Sequence, residues 1–100
     1  MPPRQDPIKK MIRIHLKITG LVQGVGYRAW ASRSAHSLGL KGWVKNCPDK
    51  SVEAEVQGPQ EKVKQFIQAC HQGPSRSQVQ EVKTKTLPDV GAFEEFEIKL

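Results

Sequence analysis

Apolar and polar residues alternate strictly near the start of the chain: Ile12, Ile14, Leu16 and Ile18 are separated by Arg13, His15, Lys17 and Thr19. A period of two belongs to a strand with one buried face, so this segment predicts a first strand that ends at Gly20. From Gly26 the period lengthens. Tyr27, Trp30, Ala31, Ala35 and Leu38 fall on one side of a helix, and Gly39 stands where a left-handed C-terminal cap is wanted. Gly42-Trp43-Val44-Lys45-Asn46 predicts a second strand, and Val52, Ala54 and Val56 alternating with Glu53, Glu55 and Gln57 predict a third. Only Cys47-Pro48-Asp49-Lys50 lies between them, which makes the pair an antiparallel hairpin. Pro59 suits the first position of a second helix with the stripe Val63, Phe66, Ile67 and Cys70, and Gly73-Pro74 closes it. A weaker strand from Val82 to Thr86 and a last one carrying Phe96, Ile98 and Leu100 complete the order β-α-β-β-α-β and leave room for a fifth strand.

Strands with a single apolar face need helices on that face alone. The expected fold is therefore α+β, two helices on one side of an antiparallel sheet of four to five strands. A chain of 100 residues builds one core and not a second. The opening MPPRQDPIKK carries three prolines, mixed charge and little apolar content, so residues 1–10 are expected to be a flexible tail on a domain of residues 11–100. That opening also lacks the apolar centre of a signal peptide, and no stretch reaches the roughly 18 apolar residues of a membrane span. The expectation is a cytoplasmic protein with no membrane partner. Two cysteines, Cys47 and Cys70, then stay reduced and serve as small buried or half-buried side chains.

The net charge of +6 favours an anionic partner without choosing among phosphate compounds, nucleic acids and acidic surfaces. One short stretch narrows the choice. In Thr19-Gly20-Leu21-Val22-Gln23-Gly24-Val25-Gly26-Tyr27-Arg28, glycines lead from a strand into a helix N-terminus, where successive backbone N–H groups can turn inward around a small anion. Arg28 adds a planar fork that matches two phosphate oxygens. The same glycines would equally serve a tight crossover, with Arg28 an ordinary surface side chain. Gly24 to Ala29 also fits G-x-G-x-x-A, but the dinucleotide fingerprint needs a parallel β-α-β unit in an open sheet, and a P-loop would need a Gly-Lys-Ser/Thr ending that is absent. His15, His36 and His71 are scattered over polar positions and form no metal-ligand spacing, so no metal is expected. Trp30 and Trp43 read as packing residues. Base stacking by an RNA-binding sheet calls for aromatics on its central strands, and Ser51 to Gln57 has none.

Gly20-Leu21-Val22-Gln23-Gly24-Val25-Gly26-Tyr27-Arg28, followed by Leu38-Gly39-Leu40-Lys41-Gly42-Trp43-Val44-Lys45-Asn46 and then by Val52-Glu53 and Gly58, resembles the two signatures of the acylphosphatase family. The resemblance covers roughly residues 11–100. It implies a ferredoxin-like α/β sandwich and hydrolysis of the carboxyl–phosphate mixed anhydride to a carboxylate and inorganic phosphate. It also implies roles: Leu21, Val22, Gln23, Gly24, Val25, Gly26, Tyr27 and Arg28 form the phosphate cradle, Arg28 binds the phosphoryl group, and Asn46 positions the attacking water. Chemistry agrees with those roles. An acyl phosphate already has a good leaving group, so holding the phosphoryl group and placing a water in line is most of the task. The expected partner is a small acyl phosphate met by a monomer that uses no cofactor, metal or nucleic acid. A regulatory or carrier module that keeps the anion pocket is the other reading. One departure stands out, because the family's hairpin glycine is here Lys50, which pays a steric cost if the turn needs positive φ.

Overall fold

The computed structural model describes residues 10–88, 91 and 93–100, so the expected tail lies outside the described residues apart from Lys10. The chain forms β1 (Met11–Leu21), α1 (Tyr27–Ser37), β2 (Lys41–Asn46), β3 (Val52–Pro59), α2 (Gln60–Gln72), β4 (Gln78–Leu87) and β5 (Phe96–Ile98). The five strands make one sheet in the order β4-β1-β3-β2-β5. β1 runs antiparallel to β3 and β4, and β2 antiparallel to β3.

The fifth strand breaks the expected antiparallel rule and lies parallel to β2. Its direction follows from where β4 ends. Leu87 pairs with Arg13 at the end of the sheet where β2 begins, so a chain crossing from there to the far edge enters β5 running with β2. Gln57, buried in β3, holds that crossing by donating to the Phe93 carbonyl at 3.2 Å and accepting from the Gly91 amide at 3.0 Å.

The alternating residues of β1 decide which face is dry. Ile14, Leu16 and Ile18 point inward with Val44, Val52, Ala54, Val56 and Phe96. Tyr27, Ala31 and Ala35 of α1 and Val63, Phe66 and Cys70 of α2 close the other side of this core. Each large apolar side chain buried there is worth about 1.5–3 kcal/mol relative to exposure. The opposite face is polar and laced with ion pairs, Arg13 to Glu55 at 2.6 Å and Lys17 to Asp49 at 2.9 Å, and with a hydrogen bond from His15 to Glu53 at 2.8 Å. Trp43 sits on that face beneath the ammonium groups of Lys99 and Lys45.

Element ends differ from expectation where pairing overrides local signals. β3 continues to Pro59, opposite Met11, so the proline caps α2 and the helix begins one residue later. β4 is twice the length its weak pattern predicts, because ladder bonds to β1 hold it although most of its side chains are exposed. Leu100 lies beyond the last β2 partner and is fully exposed. Gly39 does close α1 from the left-handed position, its amide reaching the His36 carbonyl while the Leu40 amide reaches that of Ala35. Among the described residues no helix is long and apolar enough to cross a membrane.

Candidate active site

The register of β1 slips at Thr19/Gly20, and the chain leaves the sheet into a loop anchored at both ends by the core. Val22 and Tyr27 are the anchors, each with only 1–2% of its surface exposed. Between them Gly24 (φ 75°) and Gly26 (φ 79°) adopt left-handed backbone on either side of Val25. Alternating signs of φ turn consecutive amides toward one centre, the geometry of an anion nest. Gly26 caps α1 without a side-chain bond, and the first turn of α1 holds no acidic residue. No side-chain cap or first-turn carboxylate therefore offsets the partial positive charge of that helix N-terminus.

Tyr27 fixes the start of that helix. Its hydroxyl donates to the Cys70 carbonyl at 2.7 Å, and its ring meets Trp30 edge-on at 5.2 Å between centroids. Burial, reinforced by the neighbouring Cys70, pushes the phenol well above the usual tyrosine range. Burial likewise pushes the Cys70 thiol up to about 12, so it is an inert core group. Arg28 follows directly, half-buried, with Nη1 donating to the Lys99 carbonyl at 3.3 Å. Lys99 in turn donates its amide to Val44 and stacks its ammonium 4.7 Å from the Trp43 ring centre. The end of the chain thus steadies the guanidinium, a partnership across 71 residues that no local pattern announces.

Asn46 is the last residue of β2, opposite Val52. Its Oδ1 is buried and accepts no hydrogen bond within the protein, the sole such buried side-chain atom among the described residues. The turn that follows is tight. Lys50 donates to the Cys47 carbonyl at 3.0 Å, and Cys47 donates to the Ser51 carbonyl at 2.9 Å. Lys50 has φ 73°, so the positive φ that its sequence position raised as a question is real, and the hydrogen bonds are those of a type I turn followed by a left-handed bulge residue. Asp49 secures the turn from beneath by accepting from the amide and hydroxyl of Ser51 and pairing with Lys17. The Ser51 hydroxyl and the Lys17 ammonium hold its carboxyl well below the usual carboxylate range.

Glu53 lies beside the turn and accepts from His15 at 2.8 Å and from the Cys47 thiol at 3.5 Å. Burial is the largest single influence on Glu53 and works to raise its pKa. The hydrogen bonds from His15 and Cys47, with the charges of His15 and Lys45, outweigh it and leave the carboxyl below its ordinary value. Desolvation and the facing Glu53 keep the Cys47 thiol protonated.

Of the eight residues expected to form the cradle, the structure turns the side chains of Val22 and Tyr27 into the core and packs Val25 against it. Leu21 is half exposed. Gln23 sends its side chain away to the hairpin, its Nε2 donating to the carbonyls of Cys47 and Ser51, both at 2.9 Å. Backbone amides are what this loop can offer an anion, and Arg28 alone brings a charged side chain. One amide side chain thereby brings the glycine loop and the Asn46 hairpin together. Sequence reasoning passed over the side chain of Gln23 and all of Lys99. Backbone amides and a guanidinium fork are donors that suit a tetrahedral oxyanion, and a buried carbonyl acceptor such as Asn46 Oδ1 suits the proton of a water.

Residues 14–98 match the acylphosphatase family model. The chain is 49% identical over 76 residues to an acylphosphatase of Thermococcus kodakarensis, covering 76% of this chain and 84% of that one. It is 44% identical over 84 residues to an acylphosphatase of Marinobacter nauticus, covering 84% and 91%. Its backbone superposes on the crystal structure of acylphosphatase from Bacillus subtilis with a TM-score of 0.86 at 29% identity, over 89% of this chain and 99% of that one.

Proposed function

The chain belongs to the acylphosphatase family and hydrolyses acyl phosphates, and from that premise we propose how its residues divide the work. The amides of residues 21–28 and the Arg28 fork hold the phosphoryl oxygens. Asn46 holds the water. Its Oδ1 accepts one water proton, so that an oxygen lone pair faces phosphorus opposite the acyl oxygen. As the new P–O bond forms, the bond to the acyl oxygen breaks and the carboxylate leaves with its electron pair, needing no proton from an acid. Charge grows on the equatorial oxygens meanwhile, where Arg28 and the amides, already oriented, stabilise it without reorganising. The water's protons leave with the phosphate product and the solvent.

The observation that carries this reading is the orphaned Oδ1 of Asn46, a buried acceptor at the end of a strand tied to the anion loop. A buried carbonyl left unpaired costs about 1–3 kcal/mol, so such a group persists where substrate or water completes it. The proposal extends to a cytoplasmic monomer that needs no metal, cofactor or nucleic acid, and whose catalytic unit is residues 11–100.

Steady-state kinetics on a synthetic acyl phosphate, with inorganic phosphate as competitive inhibitor, test the division of roles. Arg28→Ala should lower kcat/KM roughly 10²–10³-fold and weaken phosphate inhibition, and Arg28→Lys should recover little because the planar fork is lost. Asn46→Ala should lower kcat by a similar factor and leave the phosphate inhibition constant nearly unchanged. An Asn46→Ala enzyme turning over at the parental rate would sink the water-positioning role, and a chelator that abolished activity would sink metal independence.

A further inference from the structure

Gln23 lies in the loop yet gives its side chain to the hairpin. The loop backbone between the buried anchors Val22 and Tyr27 is four residues long, and two of these are exposed glycines around which a Cβ would find no atom within 4 Å. Neither glycine brings a side chain to hold the amides in place, and Val25 between them is the one that packs against the core. At the other end, the Cys47 carbonyl already accepts from Lys50 and the Ser51 carbonyl from Cys47. The Gln23 amide fills the second acceptor site of each, committing both of its hydrogens at 2.9 Å. Cys47 is the residue after Asn46, and Ser51, 2% exposed, precedes its cross-strand partner Val52.

We propose that Gln23 is a positioning residue: its carboxamide sets the distance between the phosphoryl-holding amides and the water-holding Asn46. This rests on the roles given above to the loop and to Asn46. The loop follows β1 and the hairpin follows β2, at the same end of the sheet but on strands separated by β3, and in-line attack requires that they agree on one geometry. A misplacement of about 1 Å between nucleophile and electrophile is enough to cost on the order of a hundredfold in rate. Glycines without side chains to pack supply little of that accuracy by themselves. Two charge-neutral hydrogen bonds from one planar amide do, because they fix both separation and tilt. Gln23 touches neither phosphate nor water in this role, so its removal should disturb turnover and spare phosphate affinity.

The test is a double-mutant cycle on the full chain with Gln23→Met, Asn46→Ala and the pair, measuring kcat on a synthetic acyl phosphate, the inhibition constant of inorganic phosphate and the melting temperature. Methionine keeps the length and loses both donors. The expected outcome is a kcat roughly 10–100-fold lower for Gln23→Met, with phosphate inhibition within about threefold of parental. In the Asn46→Ala background the same change should cost no more than about twofold, because the residue acts through Asn46. Independent, multiplying losses would overturn the proposal, as would a loss of phosphate affinity equal to the loss of rate, or a lower melting temperature with unchanged kcat. An Asn46→Ala protein with parental kcat would instead overturn the underlying role of Asn46. Should Gln23→Met fail to fold, Gln23→Glu gives the second reading: its carboxylate repels both carbonyls, and protonation restores one O–H donor. Its kcat relative to the parent should therefore rise as pH falls through the carboxylate range, and a ratio flat with pH would count against the proposal.

Discussion

The fold contains two β-α-β halves, and they begin their helices in opposite ways. Between β1 and α1 the chain uses Gly24 and Gly26 in left-handed backbone, keeps acidic residues out of the first turn and places Arg28 there. Between β3 and α2 it uses Pro59 as the cap and puts Glu61 in the first turn, while the Gln60 amide donates to the Lys10 carbonyl at 2.8 Å. Both helices expose the same orphan donors and the same end of a dipole. The second half supplies partners for them from within the chain, and the first supplies neither a side-chain cap nor an acidic residue, as the proposed phosphate cradle requires. A helix N-terminus is thus an anion site only when the chain withholds its own anion and turns its amides outward.

The comparison is broken most directly at Gly26. Gly26→Ala meets no atom within 4 Å, so the change acts through the left-handed backbone alone. We expect stability to fall by about 1–2 kcal/mol and turnover by about 10–100-fold as the amides swing out of register. Gly58→Ala in the other half is the control. Its Cβ would lie 2.5 Å from the Leu40 side chain, which is buried, so overpacking should cost about 1–3 kcal/mol while kcat per folded molecule stays parental. Thermal melts with kinetics on both proteins check this, and a kcat loss in Gly58→Ala would blur the distinction between the halves.

Giving α1 the internal anion that α2 already has sharpens the comparison. Ala29 is exposed in the first turn, and Ala29→Glu places a carboxylate there. A like charge about 6 Å from the bound anion, at an effective dielectric near ~40, costs about 1.4 kcal/mol, so the phosphate inhibition constant should rise roughly tenfold. The melting temperature should hold or rise slightly, since the helix dipole welcomes the charge. Stability and affinity would then move in opposite directions, which inhibition assays and calorimetry read separately.

The hairpin between the halves carries smaller effects. Lys50→Gly removes a side chain from φ 73° and should stabilise the protein by about 0.5–1 kcal/mol in a denaturant titration. The Glu53 carboxyl is held below its ordinary value of 4.5, so the stability it confers is present above that value and is lost as pH falls through it toward the folded pKa. Glu53→Gln should therefore flatten the acid limb of the melting temperature below pH 4.5 relative to the parent, at some cost in stability at neutral pH. An acid limb of unchanged slope would place that dependence on Asp49, whose carboxyl is lowered by Ser51 and Lys17.

Much of this molecule was legible in the order of residues because the forces involved are local. Alternation in β1 and β3 marks a face for burial, the stripes Tyr27-Ala31-Ala35 and Val63-Phe66-Cys70 mark helices, and Gly39 and Gly73 stop them. Lys50 raised only a conditional question, by standing where the family it resembles has a glycine, and the φ of 73° answers it. The left-handed turns of the glycine loop were legible too, for nearest-neighbour geometry decides them at Gly24 and Gly26. What tertiary structure alone decided spans the chain. β5 lies parallel to β2 because β4 ends beside the start of β2, and that end is set by pairing with β1. Gln23 reads as one more loop residue until Cys47 and Ser51 arrive, 24 and 28 residues on, and Arg28 gains the Lys99 carbonyl across 71. Asn46 ends a strand in any reading, but only the packed fold buries its Oδ1 without a partner. Hydrophobic period encodes which face a residue takes, whereas a hydrogen bond between distant segments exists only once burial has brought them within 3 Å, as with Gln23.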